Sequence, residues 1–118
     1  MNQTSFEMVR TAVHALCEKK GRDIIALDVS ERTVLCDAFV IVTGTNDRQV
    51  SALTDAVDEA LTKAGFEKKN VEGYHSGKWI LLDFGDLIVH VFDIESRAFY
   101  DLERIWRDAE RLEIPEED

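Results

Sequence analysis

Proline is almost missing from this chain: one stands at position 115 and none precedes it. Beside plentiful apolar and charged residues, that is the composition of a folded soluble domain rather than a disordered chain. Cysteine is nearly as scarce. Cys17 and Cys36 are the only two, and without a C-x-x-C spacing they form neither a thiolate metal finger nor a dithiol redox pair, so both are read as reduced thiols. No apolar run approaches the ~18 residues of a membrane span. The start, Met-Asn-Gln-Thr-Ser-Phe-Glu, lacks a basic segment leading into an apolar one. The expectation is a cytoplasmic protein with no membrane partner. Bases are also under-represented, with 14 Lys and Arg against 24 Asp and Glu, a formal charge of −10. Little direct contact with nucleic acid is therefore expected, since that affinity comes mainly from cationic side chains displacing counterions from phosphates. A basic protein is the better electrostatic match.

What the chain does have is a patterned apolar complement, 45% of 118 residues, enough for one core. Residues 1–112 are read as a single domain and 113–118 as an acidic tail. Thr4-Ser5-Phe6-Glu7 has the form of a capping box. Phe6, Val9, Val13, Leu16 and Cys17 then follow at helical spacing as one apolar face, and Lys19-Lys20-Gly21 closes the helix. The runs 23–29 and 38–43 are apolar on both faces, as expected of central strands. Gly44-Thr45-Asn46-Asp47 leads into a second helix with Val50, Leu53, Val57 and Leu61 inward. A short edge strand is expected within 66–72, where Lys68 and Lys69 discourage further pairing.

The runs Trp79 to Phe84 and Leu87 to Phe92 are separated by Gly85-Asp86, the two-residue signal of a β-hairpin. From Ser96 a last helix is expected, with Phe99, Leu102, Trp106 and Ala109 inward and Arg97/Asp101, Glu103/Arg107 and Arg104/Asp108 as i,i+4 pairs. The order predicts an α/β fold, a mixed sheet of four to five strands flanked by helices.

Asp83-Phe84-Gly85-Asp86 contains the Asp-Phe-Gly triplet that holds metal in protein kinases, but the chain is too short for a kinase and lacks the Lys-bearing strand, Gly-rich loop and H-R-D segment. One chemical reading is a nucleotidyltransferase-like enzyme, with Gly44-Thr45 holding phosphate at a helix N-terminus and Asp83 with Asp86 holding magnesium. Against it, neither the Walker nor the dinucleotide glycine pattern is present, and the two acids straddle a turn rather than alternate on one strand. Asp is common in turns for backbone reasons alone. Of the three histidines, His90 shares a face with Ile88 and Phe92 and is expected to be packed and hydrogen-bonded. Ser76 beside His75 has no third partner or oxyanion hole. The aromatics point elsewhere: Trp79, Phe84 and Tyr100 lie in or beside the hairpin and last helix, as anchors of a protein interface do. Phe84, next to the hairpin tip, is expected to be exposed.

Taken together, D-I-I-A-L-D-V at 23–29, V-T-G-T at 42–45 with Arg48, E-G at 72–73, W-I-L-L-D-F-G-D-L-I-V-H-V-F at 79–92 and R-A-F-Y-D-L-E-R-I-W at 97–106 resemble the ribosomal silencing factor family, also called Iojap-like. The match is colinear over about residues 5–107, and G-D-x-I-V-H with the downstream R-x-x-Y-x-L-E is its specific part. The resemblance implies a nucleotidyltransferase-like fold without the catalytic carboxylates, no cofactor and no reaction. It implies binding to the large ribosomal subunit through ribosomal protein number fourteen, blocking of small-subunit joining, and so repression of translation. The family's tryptophan falls on Trp79, the residue before the turn glycine on Phe84, and its last-helix tyrosine on Tyr100. Asp83, Asp86 and Asp93 are near enough in sequence to add acidic contacts. Family members are also seen as homodimers, which makes a second copy a further expected partner.

Overall fold

The structure, a computed structural model, describes residues 1–113; most of the acidic tail, 114–118, lies outside the described residues. The elements run α1 (Gln3–Glu18), β1 (Arg22–Asp28), β2 (Ala38–Gly44), α2 (Asp47–Lys63), β3 (Asn70–Glu72), β4 (Trp79–Asp83), β5 (Leu87–Asp93), α3 (Ile94–Tyr100), α4 (Leu102–Ile105) and β6 (Glu110–Leu112). The strands form one mixed sheet in the order β3-β4-β5-β2-β1-β6. At its centre β2 and β5 run parallel, from Ala38 opposite Leu87 to Gly44 opposite Asp93. The other neighbouring pairs are antiparallel.

All seven residues of β2 are buried, as its two-sided apolar pattern requires. Its even-numbered residues Val40 and Val42 join Ile80, Leu82, Val89 and Val91 beneath α1 and α2. Its odd-numbered Phe39 and Ile41 join Ile25, Leu27, Phe92 and Leu102 on the opposite face. That second face is roofed only in part, by the short α3 and α4.

Four local expectations are corrected. The N-cap of α1 is Asn2, whose side chain accepts from Ser5 N at 2.8 Å, so Thr4 is already helical. Ser5 turns inward and its hydroxyl donates to Asp37 Oδ2 at 2.7 Å, which leaves Phe6, one position round the helix, exposed. The last helix is not continuous. Asp101 takes a left-handed φ of 48° and ends α3, while Arg97 reaches Glu103 at 3.0 Å rather than Asp101, so Phe99 is thrown to the surface at 80% exposure. Finally, β6 pairs with β1, Ala26 opposite Leu112, and makes the sheet six-stranded. The expected edge strand is β3, and the expected helix cap at Asn46 accepts from Gln49 N at 2.8 Å.

Candidate functional site

The two-residue reversal between β4 and β5 follows the sequence signal. Gly85 has φ 85°, the position where glycine is needed in a tight hairpin turn, and Phe84 N donates to Leu87 O at 2.9 Å to close it. The Asp83 carboxylate accepts from Gly85 N at 2.8 Å, bracing the turn. Asp86 is exposed, and its carbonyl accepts from Asp37 N and Ala38 N, tying the reversal to the start of β2.

Strand alternation then sorts the β4 side chains. Ile80 and Leu82 are buried towards the helices, while Trp79, Leu81 and Asp83 are half-buried on the thinly roofed face. Phe84 continues the even-numbered series. It is 4% exposed and packs in the helix-side core with Leu82 and Leu87, so the expectation that it is exposed is corrected. The signal that finds this is the parity of Ile80 and Leu82, which outweighs nearness to a turn.

Trp79 opens β4 opposite Phe92 on β5, and the two rings stack with centroids 5.0 Å apart. Tyr100, from the last turn of α3, lies 4.6 Å from Trp79 and is 44% exposed. Phe99 packs edge-on against Tyr100 at 5.0 Å. The result is a graded stack, Phe92 buried, Trp79 half-buried, Tyr100 and Phe99 exposed. Each such ring pair stabilises by about 1 kcal/mol beyond its buried area. Trp79 Nε1 donates to His90 Nδ1 at 3.2 Å. His90 is packed as expected, 5% exposed, with Phe39 edge-on at 4.9 Å. Burial lowers its pKa to about 4, so the imidazole is neutral at physiological pH.

The carboxylates do not converge. Asp93 caps α3 by accepting from Ser96 N at 2.8 Å, and its own N–H donates to Lys78 O, which puts it beside Trp79. Asp83 and Asp86 are at the other end of the hairpin, roughly 13 Å away along β4 from the strand rise. The face is therefore a strip, aromatic at one end and acidic at both, with Leu81 between.

The same separation bears on the enzyme reading. Gly44 lies opposite Asp93, so the Gly44-Thr45 turn and the Asp83/Asp86 pair sit at opposite ends of β5 and cannot form one centre. The turn's donors are also used: Thr45 N and Oγ1 both donate to Gln49 Oε1, at 2.6 and 2.8 Å. Among the described residues, no three His, Cys, Asp or Glu side chains are grouped to hold a metal ion. Cys36, buried near the turn, has its thiol pushed up to about 11 by burial and by the Asp83 charge, which makes it unreactive. No helix of the described residues is long and apolar enough to cross a membrane.

A family model described as ribosomal silencing factor during starvation matches residues 2–118. The chain is 36% identical over 108 residues to the ribosomal silencing factor RsfS of Halalkalibacterium halodurans, covering 92% of each. It is 42% identical over 100 residues to the protein of that name from Chromobacterium violaceum, covering 85% of this chain and 82% of the relative. A crystal structure of a Chromobacterium violaceum protein matches the fold with a TM-score of 0.85 at 38% identity, covering 95% of this chain and 92% of that one. With the hairpin segment and its aromatic stack in place and the match running through sequence and fold alike, the chain belongs to the ribosomal silencing factor family.

Proposed function

We propose that the protein represses translation by binding the large ribosomal subunit through ribosomal protein number fourteen, so that the small subunit cannot join. The mechanism is steric, without a chemical step. The observation that carries this reading is the aromatic stack surfacing at Trp79 and Tyr100 on rigid elements, where a partner finds a prebuilt apolar anchor. Asp93 at that end, and Asp83 and Asp86 at the other, give the strip the sign that suits a lysine- and arginine-rich ribosomal protein. A net charge of −10 would speed encounter with such a partner and oppose contact with ribosomal RNA.

The test is retention on purified large subunits and on the isolated ribosomal protein, together with the fraction of subunits that join. Wild-type protein should be retained and should deplete joined ribosomes. Trp79→Ala and Tyr100→Ala should each weaken retention at least about tenfold, the usual scale for an interface anchor. Wild-type protein that binds neither target would sink the reading. A homodimer is proposed as a second association, because Phe99 and Ile105 stand exposed on α3 and α4. Sedimentation that stays monomeric as concentration rises would refute it.

A further inference from the structure

His90 is costly to keep where it is. Its Nδ1 accepts the Trp79 indole N–H, which fixes the neutral tautomer with the proton on Nε2. That Nε2 is buried without a hydrogen-bond partner among the described residues. A buried, unsatisfied N–H destabilises a fold, and an apolar side chain of similar volume would avoid the penalty. The cost must be offset by what the other nitrogen does.

The position explains it. Leu81 is opposite His90 and Trp79 is opposite Phe92, so Trp79 and His90 are diagonal neighbours on the same face. Trp79 is the first residue of β4, directly after the irregular segment 73–78, where the strand constrains it least. Stacking on Phe92 fixes the plane of the indole but not its rotation within that plane, because stacking has little preference there. The directional hydrogen bond to His90 removes this freedom. His90 in turn has no freedom of its own, held between Phe39 at 4.9 Å and Phe92 at 6.2 Å.

We infer that His90 is a positioning residue for the partner contact: its Nδ1 locks the Trp79 indole in one orientation before a partner arrives. The inference rests on the proposed role of Trp79 in binding. An indole already ordered spares the complex the cost of immobilising it, which for one side chain corresponds to roughly 3- to 10-fold in affinity.

Two variants separate positioning from bulk. His90→Asn keeps an acceptor, since the Asn Oδ1 occupies the place of Nδ1, and exchanges the orphan Nε2–H for the amide Nδ2 donors. His90→Leu keeps the apolar volume and removes the acceptor. The indole N–H cross-peaks of Trp79 and Trp106, assigned with Trp79→Phe, are read by ¹⁵N NMR on the unbound protein, and affinity is read on isolated ribosomal protein fourteen. His90→Leu should move the Trp79 cross-peak to the position of an unbonded indole, leave that of Trp106 in place and weaken binding roughly 3- to 10-fold. His90→Asn should restore both readouts, and in a Trp79→Phe background His90→Leu should weaken binding no further. An unmoved Trp79 cross-peak, wild-type affinity in His90→Leu, or failure of His90→Asn to rescue would each overturn the inference. If wild-type protein does not bind at all, the functional reading falls and takes the binding role of His90 with it. The cross-peak still decides whether His90 holds the indole.

Discussion

Replacing Phe84 by alanine separates two accounts of the same residue. If the ring were a partner contact at the hairpin tip, Phe84→Ala would abolish binding and leave stability unchanged. The structure requires the reverse. Phe84 is 4% exposed and shares the helix-side core with Leu82 and Leu87, so the substitution removes a buried ring and leaves a cavity at a cost of about 3–5 kcal/mol. A domain of this size has a total stability of about 5–15 kcal/mol, so the loss is a large part of it. With a urea m-value of about 2 kcal/mol per molar, the unfolding midpoint should fall by about 2 M. Phe84→Leu keeps most of the volume and should cost less than about 1.5 kcal/mol. Urea unfolding followed by circular dichroism gives the midpoints, and retention on large subunits is measured without denaturant. Phe84→Ala should bind in proportion to its folded fraction, whereas Trp79→Ala should lose binding with a much smaller change in midpoint. A Phe84→Ala protein with a wild-type midpoint and no binding would show that the ring belongs to the interface.

Because burial pushes His90 from 6.5 down to about 4, unfolding takes up a proton between those values, so its contribution is full above pH 6.5 and declines as pH falls towards 4. From pH 7 to 4.5 this lowers stability by about 2 kcal/mol; urea midpoints across that range should be steeper with pH in wild type than in His90→Leu, and equal slopes would refute the assignment. Gly73 has φ 79°, and a Cβ there would come 2.2 Å from the Trp79 carbonyl oxygen, whereas one on Gly85 meets only Lys69 Cε at 3.7 Å. Gly73→Ala should therefore cost at least about 2 kcal/mol and weaken binding by displacing Trp79, while Gly85→Ala should cost about 1 kcal/mol and spare binding. Thermal unfolding and subunit retention check both. Arg97 donates to Glu103, to Thr43 Oγ1 at 2.9 Å and to the Asp23 carbonyl at 2.8 Å, so Arg97→Met should lower the thermal midpoint by roughly 10 °C, equivalent to about 2–3 kcal/mol. Arg97→Lys should not restore it, since an ammonium cannot make that fork; a Lys variant melting with wild type would count against the geometry.

The parts of this fold legible in the sequence are those where one local requirement has one solution. Gly85-Asp86 between two apolar runs demands a hairpin, and Asn46 before a helical stripe demands a cap. β6 was not legible because Glu110 and Arg111 carry no apolar alternation, and the strand exists through backbone pairing with β1. The break at Asp101 was hidden because the apolar spacing from Phe99 to Ala109 fits a straight helix, whereas Arg97 bonded to Thr43 and Glu103 anchors a bent one. Periodicity also does not say how far a neighbouring element extends over a stripe, so it places Phe6 and Phe99 inside although both are exposed. At the candidate site, residue type and the family resemblance single out Trp79 and Tyr100, while their contact with each other and with His90 is set by tertiary packing that no local pattern encodes. Phe84 was readable from strand parity, a stronger constraint than its place beside a turn.

The parallel seam between β2 and β5 governs how the molecule assembles. Flanking it on either side is an antiparallel pair close in sequence, β1 with β2 and β4 with β5, and such pairs form quickly, hairpins within about 1–10 μs; the outlying β6 joins β1 from the far end of the chain. The seam instead joins Ala38 to Leu87 and must enclose α2, β3 and β4 before it returns any stabilisation, a loop-closure cost that slows non-local pairing. The expected rate-limiting event in folding is the closing of the sheet along this line. Truncations at the seam, such as Val40→Ala or Val89→Ala, should slow folding, and equally destabilising changes at the outlying β3 should act mainly by speeding unfolding.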